Sequence, residues 1–139
     1  MYQNVLLAAD GSENSYRAAD HAIGLVKGEK DARVDIIYVV DGSASKSDVL
    51  QYGNSHLIDH KRKEKLAPIE EKLQENGLSY DVHIEHGEPG PTIVKFANNS
   101  DYDCVVLGSR GLSQLQTMVL GSVSHKVAKR VECPVMIIK

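Results

Sequence analysis

Residues 2–28 read YQNVLLAADGSENSYRAADHAIGLVKG. Tyr2 to Ala9 is almost wholly apolar and ends at Asp10-Gly11-Ser12, as a strand covered on both faces does. Ser12 suits the N-cap of a helix over about 13–27, because Ala18, Ala19, Ala22, Ile23 and Val26 recur at helical spacing and Gly28 can stop it. A buried strand, a tight turn and an amphipathic helix together form the opening of a parallel crossover unit.

The same alternation continues outward. Val34 to Val40 reads as a second buried strand rich in β-branched residues, closing at Asp41-Gly42. Residues 43–56 show no periodicity and read mostly as loop. Leu66, Ile69 and Leu73 predict a helix up to Asn76-Gly77, with Pro68 tolerated only in a first turn or at a kink. Tyr80 to Glu85 alternates apolar and polar residues, as an edge strand does. Pro91 suits the first position of a helix carrying Ile93, Val94 and Ala97, and Cys104 to Leu107 is a fourth, apolar strand. A helix from about Ser122 places Val123, Val127 and Val131 on one face, with Lys126, Lys129 and Arg130 away from it. Val135 to Ile138 is the last strand. Alternating strands and helices call for an open parallel α/β sheet covered on both faces, with ligands expected at the carboxyl ends of the strands.

At 139 residues the chain fits one domain, 1–139, and 42% apolar with 25% charged residues excludes a disordered or fibrous chain. The net charge of -3 gives no footprint for nucleic acid. No apolar run approaches a membrane span, and Met1-Tyr2-Gln3-Asn4 has no cationic signal-peptide region, so a cytoplasmic location is expected. Cys104 and Cys133 are too few for a disulfide framework or a zinc site and read as buried thiols.

Three segments that follow strands can meet at the crevice: Asp10-Gly11-Ser12, the Val39-Val40-Asp41 end of the second strand, and Gly108-Ser109-Arg110-Gly111. Nine residues beyond Gly111, Gly121-Ser122-Val123-Ser124 opens a helix. Glycines let a backbone approach a ligand, and a helix N-terminus offers unpaired N–H groups to phosphate, with the Ser122 and Ser124 hydroxyls as further donors. The plainer alternative is that Gly108 and Gly111 shape a turn and Ser122 only caps. Neither the Walker nor the dinucleotide glycine fingerprint is present.

These residues resemble the universal stress proteins, whose nucleotide-binding members carry G-x2-G-x9-G-[ST]. Gly108, Gly111, Gly121 and Ser122 match it, and Asp10-Gly11-Ser12, Gly87-Glu88-Pro89 and Cys133-Pro134-Val135 extend the likeness along the chain. The resemblance implies a three-layer, doubly wound, Rossmann-like parallel sheet of five strands in order 3-2-1-4-5. It implies ATP as ligand, with Mg2+ at Asp10 and Val39 against adenine. Gly108 and Gly111 would lie at the ribose and phosphates, and Gly121, Ser122, Val123 and Ser124 around the phosphates. Ala8, Ser12, Leu107 and Arg110 complete the expected set. Ala8 stands where some nucleotide-binding relatives have Pro, which weakens the expected ribose contact.

ATP carries about four negative charges, and Arg110 is the nearest loop cation in the sequence, which is why a divalent metal is expected to share the neutralisation. A helix terminus contributes roughly 0.3 to 2 kcal/mol, small beside the roughly 8 kcal/mol of barrier lowering that catalysis implies. Regulation by occupancy is therefore expected, with at most slow hydrolysis. The alternatives are an interaction module that holds AMP, cyclic AMP or nothing, and a slow ATPase. His56 and His60 share a helix face without a third ligand, and His83 and His86 point to opposite faces. His125 beside Ser124 lacks a nucleophile elbow. The run His60 to Lys65 reads as a solvated helix face, and Asn98-Asn99-Ser100 is only formally a glycosylation acceptor. Val135, Met136, Ile137 and Ile138 form an edge strand that invites a homodimer.

Overall fold

A computed structural model describes residues 1–42, 50, 53, 55–109 and 121–139. Its elements alternate: β1 (Asn4–Ala8), α1 (Glu13–Val26), β2 (Arg33–Val40), α2 (Ser55–Glu75), β3 (Val82–His86), α3 (Pro89–Asn98), β4 (Cys104–Gly108), α4 (Ser122–Arg130) and β5 (Val135–Ile138). The strands form one five-stranded sheet in the order β3-β2-β1-β4-β5, and every pair is parallel. The winding reverses between β1 and β4, where Ala8 stands opposite Leu107.

Strand alternation divides the apolar residues between two cores. Val5, Leu7, Ile36, Tyr38 and Val106 face α1 and α2, where Ala18, Ala22, Leu66, Ile69 and Leu73 meet them. Leu6, Ile37, Val105 and Leu107 face α3 and α4, against Ile93, Ala97 and Val127. The alanines of α1 let it lie close to the sheet. Met136 packs into the first core and Ile137 into the second, so β5 is anchored on both faces although it is a sheet edge.

Four local expectations change. The proline at the start of α3 is Pro89, not Pro91, and both prolines fall in the first turn, where a missing N–H costs no helical bond. Pro68 lies well inside the 21-residue α2. The helix passes through it because Leu66, Ile69 and Leu73 are buried on either side, enough apolar area to offset a penalty of about 3 kcal/mol. Of the segment expected as loop, Ser55 and His56 already belong to α2, and most of the remainder lies outside the described residues. Cys104 is buried but Cys133 is only half-buried.

Candidate functional site

At the switch point the chain end of β4 and the start of α4 are tied together. The Gly121 N–H donates to the Ser109 carbonyl at 3.0 Å, and the Ser124 hydroxyl donates to the Gly108 carbonyl at 2.8 Å. The Ser109 N–H in turn donates to Ile138 at 2.7 Å, which joins the loop to β5. Gly121 is the N-cap of α4 and offers no side chain to cap it. The first backbone bond of the helix runs from His125 to Gly121, so the N–H groups of Ser122, Val123 and Ser124 have no partner among the described residues. Helix α1 closes itself instead. The Ser12 hydroxyl oxygen accepts from the Ser15 N–H at 3.2 Å, and the Ser15 hydroxyl donates back to the Ser12 carbonyl at 2.8 Å. The start of α4 has no such side-chain cap and, among the described residues, leaves its first amides open to an anion.

The turn after β1 forms the neighbouring wall. Asp10 Oδ1 accepts from the Ser12 N–H at 3.0 Å, an Asx turn that fixes the carboxylate beside the end of the strand. Gly11 has φ +82°, and a β-carbon there would stand 2.9 Å from Lys65 Cβ. Only glycine combines that backbone conformation with so close an approach to α2. Val39 lies on the α3/α4 face of β2, partly buried.

A sequence model of the Universal stress protein family matches residues 1–139, the whole chain. The chain belongs to the universal stress protein family. It is 37% identical over 150 aligned positions to universal stress protein YxiE of Bacillus subtilis, covering 100% of both chains. Among solved structures it is similar to hypothetical protein MJ0577, with TM-score 0.84, 29% identity, and coverage of 100% of this chain and 96% of that one. The fold is shared, at lower identity, by a universal stress protein in complex with cAMP (TM-score 0.73, 23% identical, covering 99% and 97%). It is shared too by a family protein of Arabidopsis thaliana with AMP bound (TM-score 0.70, 24% identical, covering 99% and 91%).

In this universal stress protein the expected site residues fall into distinct groups. Asp10, Gly108, Gly121, Ser122 and Val123 line the carboxyl ends of β1 and β4 or the start of α4, with Ala8 at the end of β1. Leu107 is buried in the second core, which leaves only its backbone to face a ligand. Ser124 is buried with its hydroxyl proton committed to Gly108, so its contribution to an anion is its N–H. The Ser12 hydroxyl is occupied as the helix cap. Arg110 and Gly111 lie outside the described residues. Arg62 and Lys65 depart from the solvated face expected of α2: Arg62 is buried, and Lys65 is half-buried with its stem along Gly11.

A second polar cluster sits at the opposite, amino ends of β2 and β3. Asp35, buried in an apolar strand, accepts from the Arg33 guanidinium at 2.7 and 3.1 Å, from the Asp81 N–H at 2.9 Å and from the Tyr102 hydroxyl at 2.8 Å. Burial pushes its carboxyl up, but the hydrogen bonds from Arg33, Tyr102 and the Asp81 amide outweigh this and hold it below the usual carboxylate range. Burial, and then the bond to Asp35, push the Tyr102 hydroxyl far up. Donor atoms of Asp35, Asp81 and His83 lie within 4.8 Å of one another, yet Arg33 already bridges the two carboxylates at 2.7 Å each. A cation occupies this corner, and its role is structural. The thiols offer no nucleophile: burial, then the neighbouring Cys133, push Cys104 up to about 11, and burial raises Cys133.

Proposed function

We propose that this universal stress protein binds an adenine nucleotide, ATP together with Mg2+, at the carboxyl ends of β1 and β4. Occupancy then changes shape or partner choice instead of driving a reaction. The observation that supports this most is the open start of α4. Its free N–H groups are held against the end of β4 by the Ser109 and Gly108 carbonyls, in a segment whose glycine spacing matches the nucleotide-binding members of the family. An anion there meets aligned donors and the positive end of a helix dipole. Asp10, an oxygen ligand at the neighbouring turn, suits a hard cation that accompanies the phosphates, and Val39 supplies an apolar surface for a base. Two proteins of this fold hold cAMP and AMP, so the monophosphates are the natural competitors.

Melting curves with Mg-ATP, ADP, AMP and cAMP test the reading. A ligand present at about 100 times its Kd adds about 2.7 kcal/mol to the folded state, a rise on the order of 10 °C for a chain of this size. If all four compounds leave the melting temperature unchanged, the site holds no adenine nucleotide and the chain is an interaction module. Adenine nucleotide recovered by mass spectrometry from protein purified without added ligand would place the same ligand in the cell.

The same reading includes a homodimer through β5, working in the cytoplasm. Among the described residues Val135 to Ile138 pair only with β4, which leaves one line of backbone donors and acceptors there without a strand partner. Sedimentation at micromolar concentration is expected to give twice the 15.2 kDa chain mass. A single monomeric boundary removes the dimer while leaving the nucleotide reading untouched. Among the described residues no helix is long and apolar enough to cross a membrane.

A further inference from the structure

The open helix start approaches the crevice from the α3/α4 face, and it supplies dipole and amides but no full charge. A nucleoside triphosphate needs more. The side chain nearest to a β-carbon placed on Gly11 belongs to α2. Lys65 Cβ, Cγ and Cδ stand 2.9, 3.3 and 3.5 Å from the place a β-carbon of Gly11 would occupy. The ammonium is two bonds beyond Cδ, so it cannot leave the neighbourhood of that turn. Its backbone is pinned as well, because the Tyr16 hydroxyl of α1 donates to the Lys65 carbonyl at 3.0 Å.

Two other lysines of α2 are engaged, Lys61 with Glu64 at 3.3 Å and Lys72 with Asp20 at 2.8 Å, and Lys63 is exposed on the outer face of the helix. Among the described residues Lys65 makes no ion pair and no side-chain hydrogen bond. A lysine whose stem is held against Gly11, with no ion-pair partner among the described residues, keeps an ammonium to offer to an anion that reaches that turn.

We propose that Lys65 is a specificity-determining residue of this site, its ammonium meeting the distal phosphates so that a nucleoside triphosphate is held in preference to a monophosphate. This rests on the nucleotide reading above. The α4 amides recognise a phosphate of any adenylate, whereas Lys65 adds attraction only where further phosphates extend towards the Asp10-Gly11 turn.

The test is calorimetric titration of ATP, ADP and AMP into the full chain in Mg2+, comparing wild type with Lys65→Met and Lys65→Arg. Methionine keeps the stem against Gly11 and removes the charge. Lys65→Met is expected to weaken ATP on the order of tenfold, the scale of one hydrogen bond to a charged group, with AMP nearly unchanged and with Lys65→Arg restoring much of the loss. Equal weakening of ATP and AMP, or no change in either, overturns the proposal while the nucleotide site stands. Wild type that binds none of the three overturns the site and this role together.

Discussion

Gly121→Val is expected to abolish the nucleotide-dependent rise in melting temperature that the proposed site predicts, and to leave the unliganded protein folded. The two halves of this result have separate causes. Gly121 has φ -62° and ψ 158°, a conformation open to any residue, so valine meets no backbone strain. As an N-cap it is poorer than glycine, which lowers apo stability by about 0.5 to 1 kcal/mol. The branched side chain, however, stands over the N–H groups of Ser122, Val123 and Ser124 and keeps a phosphate from reaching them. Loss of these donors removes the whole effect of about 2.7 kcal/mol expected at about 100 times Kd. Gly121→Ser separates sterics from capping. A serine oxygen accepts from the helix amides itself, so the apo protein gains a few tenths of a kcal/mol and the ligand competes with an internal cap. Should Gly121→Val melt with an undiminished ATP-dependent rise, the phosphates are bound elsewhere.

What could be read in the sequence follows from how local the signal is. Val5 to Leu7 and Val105 to Leu107 are buried on both faces, and a run that needs no alternation announces itself as a central strand. The turn after the first carries Asp10, Gly11 and Ser12 in the order that an Asx turn and a helix cap require, and Gly108 follows the second at once, which is why the crevice could be located from residues alone. Tertiary contacts left weaker traces. Lys65 belongs to a polar helical stretch, and only the partner it meets, a glycine 54 positions earlier with φ +82°, separates it from its solvated neighbours. Asp35 was visible as a lone acid in the apolar run Val34 to Val40, and that contradiction between residue and context was the available clue. Arg33 stands two residues away on the same face of β2, but Asp81 and Tyr102 come from separate segments, and no sequence spacing brings those two to it. Pro68 shows the reverse case, where a strong local rule yields to packing.

Asp35→Ala is expected to lower stability by about 2 to 3 kcal/mol, the cost of removing a buried carboxylate that accepts from a partly exposed guanidinium and two further donors, read as a shift of the urea midpoint. The loss is larger than that of one surface bridge because three donors depend on this carboxylate. Arg33 retains Asp81 at 2.7 Å, but the Tyr102 hydroxyl and the Asp81 N–H lose their acceptor, and each half-buried donor left unpaired costs on the order of 1 kcal/mol. His83 Nε2, already buried without a hydrogen-bond partner and 3.7 Å from Asp35 Oδ2, gains nothing from the change. Asp35→Asn keeps the shape and one acceptor oxygen, so it falls between the two. The pH dependence distinguishes charge from shape. The folded carboxyl titrates below its unfolded value, so its ionised form stabilises the fold above the ordinary aspartate pKa of about 3.9, and that stability is lost as pH falls through the lowered folded value. Asp103, lowered by the Asn4 and Gln3 amides it accepts from at 2.8 and 2.9 Å, adds to the same acid limb in every variant. The difference between wild type and Asp35→Asn is therefore constant near neutrality and narrows below about pH 4. A difference that persists unchanged into that range means that Asp35 acts through packing and not through its charge.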